Sequence, residues 1–224
     1  MKILALDTST EHCSVALARG GEIDARDVLA GQRHSELLLG MVDALLKYHA
    51  LDLRSLDGIA FGSGPGSFTG LRIACGVAQG LAFGAQRPVV GVCTLLALAE
   101  STGAARAVCC LDARMGQVYH AAYERDGPAW RTVHAPGLWA PGEAPLVPGP
   151  RAWIGSGSGF KAYREALEKR YAGVLSDIMG DVYPHARDVA RLAIAEFEQG
   201  RAVAPEAAAP LYVRDKVALK SGER

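Results

Sequence analysis

Three places in this chain bring together residue types that do chemistry. Asp7-Thr8-Ser9 ends the first apolar run, where a carboxylate and two hydroxyls can hold a metal-bound phosphate. Asp112 ends a similar run, "AVCCLDARMG", halfway along the chain. Two glycine-rich loops, "FGSGPGSFTGLR" at 61–72 and "GSGSG" at 155–159, can turn backbone amides toward an anion. Two aspartates facing one cleft lined by such loops would make a phosphotransfer site. The plain alternative is that each aspartate caps a hydrogen-bonded turn. Asp7, Thr8, Ser9, Gly155 and Gly157 are the nucleotide-binding candidates on this reading, with ATP or ADP as a weakly held ligand.

Other motifs argue against familiar catalysts. The first loop closes Thr69-Gly70-Leu71-Arg72, without the Lys-Ser/Thr pair of a P-loop, and Ser67 breaks a GxGxxG pattern. Six scattered histidines form no HxxH, HxxxH or HExxH, so no metal site is expected. No GxSxG elbow stands out; Ser156 and Ser158 are misplaced for one. Arg72, Arg114 and Arg214 lie among apolar segments as anchors or as salt-bridge partners.

The elements that must position these residues follow from periodicity. "KILALDTS", "CSVALARG" and "EIDARDVLAG" give three strands, the first two runs apolar and the second ending at the Gly20-Gly21 turn. Leu37, Leu38, Met41, Val42, Leu45 and Leu46 mark a helix. A strand into the glycine loop, a helix over 70–85, a strand "RPVVGVCT" and a short helix complete a β-β-β-α-β-α-β-α order. The second half begins alike but has a Pro/Gly-rich stretch at 136–150 where its first helix would stand. Strand and glycine loop then lead into two helices, "KAYREALEKRYA" and "HARDVARLAIAEFEQG", and a polar tail that we expect to be frayed. We read an internal duplication with lobes at 1–104 and 105–224.

The helix after the first loop is rich in small residues. Gly76, Gly80 and Gly84 form one stripe, and Gly70, Ala74, Val77, Ala78 and Leu81 a second. Such stripes admit a close backbone, either the chain's own sheet or another subunit's helix.

Composition sets the frame. The chain has 224 residues, 24 basic and 24 acidic side chains, and no net charge, which excludes the basic excess of a strong nucleic-acid binder. Five irregularly spaced cysteines without a CxxC fit buried thiols in a reducing compartment. No apolar run suits a signal peptide or a membrane span, so a cytoplasmic protein is expected.

Taken together, "ILALDTST", "GSGPGSFTGLRIACGVAQGLA", "LDARMGQVY" and "PLYVRDKVA" resemble the TsaB (YeaZ) family, tRNA threonylcarbamoyladenosine biosynthesis proteins of bacteria, in order from residue 3 to about 218. The resemblance implies a duplicated actin-like (ASKHA, ribonuclease H-like) α/β fold. It implies a non-catalytic partner of the threonylcarbamoyl transferase TsaD, holding TsaD active, with the ATPase TsaE joining them and a homodimer when alone. Contact with tRNA would be indirect. TsaD-like proteins hold a metal with a His-x-x-x-His pair; Thr94 and Leu98 stand in its place here, and neither replaces imidazole. The resemblance also places the glycine loop and its helix at the subunit contact, with Gly70, Leu71, Ala74, Val77, Ala78 and Leu81 as interface residues. A nucleotide-binding ATPase or phosphotransferase is the alternative.

Overall fold

The computed structural model describes residues 1–149 and 152–214. Most of the polar tail expected to fray lies outside the described residues. Strands β1 (Lys2–Asp7), β2 (His12–Arg19) and β3 (Glu22–Leu29) open the chain as a meander. Helix α1 (His34–Tyr48), strand β4 (Gly58–Gly64), helix α2 (Phe68–Ala85), strand β5 (Val89–Cys93) and helix α3 (Thr94–Ser101) follow. The five strands form one sheet in the order β3-β2-β1-β4-β5. The first three are antiparallel, and β4 and β5 run parallel to β1.

Burial explains the sequence pattern. β1 and β4 are covered on both faces, so they are apolar without alternation. β3 lies at the edge and carries Asp24, Arg26 and Asp27, which discourages edge-to-edge pairing. On one face, Leu38, Val42 and Leu45 of α1 and Ala74, Ala78 and Ala82 of α2 pack on Leu4, Leu6, Ile59 and Phe61. The Ser67 hydroxyl caps α2 by accepting from the Gly70 amide at 3.3 Å.

The second half repeats the plan. Strands β6 (Arg106–Arg114), β7 (Gln117–Asp126), β8 (Ala129–Trp139), β9 (Trp153–Ser156) and β10 (Leu175–Met179) form a sheet in the order β10-β9-β6-β7-β8. The pairing senses match strand for strand. A single 3₁₀ turn, Pro141–Glu143, stands where the first half has α1.

Three features differ from the sequence expectation. β8 runs through Pro136 and Gly137 to Trp139, because an edge strand with register irregularities tolerates proline. The segment expected as one helix is two, α4 (Ser158–Ala162) and α5 (Arg164–Arg170), broken at Tyr163. β10 was not expected at all: it is short, and Ser176 and Asp177 are exposed.

The sheets separate across residues 102–105, but the helices cross that line. α3 packs Leu95, Leu98 and Ala99 on Ala107, Cys109, Leu111 and Ala121 of the second sheet. The last helix, α6 (Ala186–Glu198), returns to the first. Its Ala186, Val189, Ala190 and Ala193 cover Ile3, Ala5, Ala16, Ala60, Val90 and Val92. Nearly buried Glu100 of α3 fastens the crossing: it accepts from Arg125 Nη2 and Trp130 Nε1 at 2.7 Å each and from Arg191 Nη1 at 3.3 Å.

Candidate functional site

The first glycine loop wraps the turn after β1. Asp7 is fully buried. Its Oδ1 accepts from the Ser9 amide at 3.0 Å and the Ser9 hydroxyl at 2.8 Å, while Oδ2 has no hydrogen-bond partner. Burial pushes the carboxyl up to about 7 against the opposing effect of those two bonds. The Thr8 hydroxyl donates to the Gly70 carbonyl at 2.7 Å, and the Ser67 amide to the Ser9 carbonyl at 2.7 Å. A Cβ at Gly66 would stand 2.5 Å from the Ser9 carbonyl oxygen, and one at Gly70 would overlap that of Thr8. The glycines of this loop thus seat it on its own chain, which is what their spacing serves.

A cleft of about 910 Å³ opens between the lobes. Ser9 lines it, with Ser67 on the same side and Asp112, Arg114, Ser158 and Lys161 on the other. Asp7 and Thr8 lie beneath its wall rather than on it. Gly155 and Gly157 also lie off the cleft. A Cβ at Gly155 would stand 2.7 Å from the Phe160 ring, and one at Gly157 2.5 Å from the Cys110 carbonyl oxygen. Of the five nucleotide candidates, only Ser9 borders the cavity. Ser158 belongs to the 155–159 loop that the sequence singled out, but Lys161 was missed because it is an ordinary polar residue of short α4; only the tertiary fold turns it to the cleft.

Register also bears on the symmetry read from sequence. Leu6 pairs with Phe61, and Cys109 pairs with Ser156. The next residue on each strand, Asp7 or Cys110, meets the glycine loop. In the hairpins Asp112 answers to Asp7: Asp7 pairs with Ser14 and Asp112 with Val118 on the strand that follows, and the Oδ1 of each accepts from the amide two residues on. The two differ in burial, since Asp7 is fully buried and Asp112 lies at the cleft rim. Its Oδ1 accepts from the Arg114 amide at 2.8 Å and the Tyr163 hydroxyl at 3.2 Å, and its Oδ2 pairs with Arg114 Nη1 at 3.0 Å. The two aspartates do not face one cleft.

α2 presents two unlike faces. Gly70, Leu71, Ala74 and Ala78 are buried inside their own lobe, so the close approach they allow is to the chain's own sheet. Val77 and Leu81 are partly buried at the margin of that core. Gly76, Gly80 and Gly84 look outward with nothing of the chain near them, beside Phe83, which is 75% exposed. The surface that α2 offers is this second stripe.

Thr94 and Leu98, at the head of α3, are fully buried. The Thr94 hydroxyl donates to the Pro65 carbonyl, and Leu98 packs against β6 and β7. Among the described residues, no group of three or more His, Cys, Asp or Glu side chains is placed to hold a metal ion. The cysteines are free thiols, four of them buried. Among the described residues no helix is long and apolar enough to cross a membrane.

Comparison with known proteins now bears on this arrangement. The family model described as "TsaD: tRNA N6-adenosine threonylcarbamoyltransferase" matches residues 28–221. The tRNA threonylcarbamoyladenosine biosynthesis protein TsaB of Escherichia coli is 39% identical over 236 positions, covering 98% of this chain and 97% of that protein. Its Haemophilus influenzae counterpart is 36% identical, covering 98% and 96%. YeaZ from Pseudomonas aeruginosa superposes with a TM-score of 0.88 at 37% identity, over 94% of this chain and 99% of that one. A second structure from that organism, of a protein described as similar to peptidase YeaZ, gives 0.88 over 95% and 99%. Two mixed sheets of like order with flanking helices, together with these likenesses, define a duplicated actin-like, ribonuclease H-like α/β protein. Within that class, the chain belongs to the TsaB (YeaZ) family.

Proposed function

We propose that this chain serves tRNA threonylcarbamoyladenosine biosynthesis as a non-catalytic subunit. It binds a TsaD-type transferase and holds it in its active form, with TsaE joining the pair. Alone it forms a homodimer through the same surface, and its contact with tRNA runs through the partner. The work is cytoplasmic, in keeping with the free thiols. Likeness to TsaB proteins over nearly the whole chain supports the pathway.

The geometric observation that carries the reading is the outward stripe of α2. Each glycine in a helix interior costs about 1 kcal/mol relative to alanine. Gly76, Gly80 and Gly84 incur that cost with no contact inside the chain. A second helix lying against them, flanked by Val77, Leu81 and Phe83, offsets it. Residue identity supports a lack of transferase chemistry, since the side chains at 94 and 98 are a hydroxyl spent on Pro65 and a packed leucine.

Light scattering behind size-exclusion chromatography tests this, on the chain alone and mixed with TsaD from the same organism. A homodimer that converts to a one-to-one heterodimer is the expected result, and a monomer that ignores TsaD overturns it. Gly80→Glu should abolish both associations while leaving the melting temperature unchanged or higher. A second reading, nucleotide binding, is favoured by Lys161 and Arg114 at the cleft. ATP turnover by the purified chain, lost in Lys161→Ala, would support it.

A further inference from the structure

We propose that the segment Val203–Arg214 is a tie across the mouth of the cleft that fixes the spacing of the two lobes, with the Arg214 guanidinium as its releasable end.

After α6 the chain runs back over the first lobe and is held there at each step. Val203 and Val89 exchange two backbone hydrogen bonds of 2.9 Å. The Ala208 side chain enters the core beneath α2, and its carbonyl accepts from Gln79 Nε2 at 3.0 Å. The Leu211 amide donates to the Ser63 carbonyl at 2.7 Å. The Tyr212 hydroxyl accepts from Arg72 Nε at 3.0 Å, and its ring lies 5.6 Å from that of Phe68. The end of β4 is shaped to receive this segment. Gly64 has φ 121°, and a Cβ there would stand 2.6 Å from the Leu211 carbonyl oxygen.

Among the described residues, the hydrogen bonds from its other end to the second lobe come from one side chain. Arg214 donates from Nη1 to Met115 Sδ at 3.1 Å and from Nη2 to Gln117 Oε1 at 2.8 Å. Met115 lies in the tight turn between β6 and β7, where Arg114 and Met115 take left-handed φ values of 62° and 55°, and Gln117 is the first residue of β7. Arg214 and Met115 both line the cleft. Among the described residues the lobes are joined at several places, one of them Tyr183 at the cleft, whose ring lies 4.4 Å from that of His12 and whose hydroxyl hydrogen-bonds to Glu11. The crossing helices and Glu100 join them away from the cavity lining. Arg214 joins them on the lining itself, through a neutral amide and a thioether, a weaker attachment than the one the segment makes to the first lobe.

The test uses the whole chain. In Arg214→Ala, backbone hydrogen exchange at residues 113–117 should quicken about tenfold, as expected for losing hydrogen bonds from a charged donor. Exchange in β1 and β4 should stay unchanged, and X-ray scattering should show a larger radius of gyration. Gln117→Ala should give the same pattern more weakly. Arg214→Lys, which keeps the charge but not the fork, should fall between. Unchanged exchange and radius in both alanine variants would overturn the proposal. So would exchange that quickens uniformly through both sheets, since that reports a stability defect and not a released tie.

Discussion

Asp7 closes β1, and Cys110 lies near the end of β6, two residues before Asp112, each fully buried and each against a glycine loop. The second lobe meets its glycine loop with a small apolar side chain, whose thiol burial pushes well up and keeps protonated. The first lobe puts a carboxyl there, half satisfied by Ser9. Asp112, two residues past Cys110, emerges at the cleft and finds Arg114 and Tyr163. Asp112 is at the rim and Cys110 is apolar, so the buried carboxyl of the first lobe is an exception that the second lobe does not repeat. An aspartate at the end of a strand is therefore not by itself a cleft residue.

The largest expected effect comes from imposing the exception on the second lobe. Cys110→Asp buries a carboxyl with no counterpart of Ser9 beside it. It should destabilise the protein by about 4 kcal/mol or more, read by denaturant unfolding near neutral pH. Removing the exception from the first lobe should change the pH dependence. The Asp7 carboxyl is raised in the folded state, so its contribution to stability is present below the ordinary carboxylate range and is lost as pH rises through about 7. Between pH 5 and 8 that loss amounts to about 2–3 kcal/mol, and Asp7→Asn should remove it. Burial also raises Asp188, to about 6, and adds a slope of the same sign that the variant leaves in place. The smallest effect is expected at the rim. Asp112→Asn gives up an ion pair with Arg114, whose side chain is 86% exposed, and should cost about 1 kcal/mol or less. An Asp112 variant more damaging than Cys110→Asp would break the comparison.

Much of the first lobe was legible because its signals are local. β1 is an unbroken apolar run, Gly20-Gly21 is a turn, and α1 keeps its period. The eroded first helix of the second half also showed, as proline and glycine at 136–150. Strand register and depth did not show, because they depend on which residues pair and pack across a sheet, and so Asp7 reads from sequence as a cleft residue when it lies beneath the cleft wall. β10 stayed hidden as five residues half exposed to solvent. The two faces of α2 were visible as stripes, but both are rich in small residues, and only packing tells which stripe is covered. Likewise the pattern in α3 and α6 announces an apolar face without saying which sheet receives it.

The crossing of those helices governs how the protein is made. Five strands of the first sheet are synthesised early, yet the face under Ile3, Ala16, Ala60 and Val92 waits for residues 186–193. Until residues 186–193 have left the ribosome, that face has no cover of its own. A gene cut between the lobes would yield an amino-terminal fragment with bare apolar surface, and a frameshift late in the reading frame would disable the beginning of the protein as surely as its end.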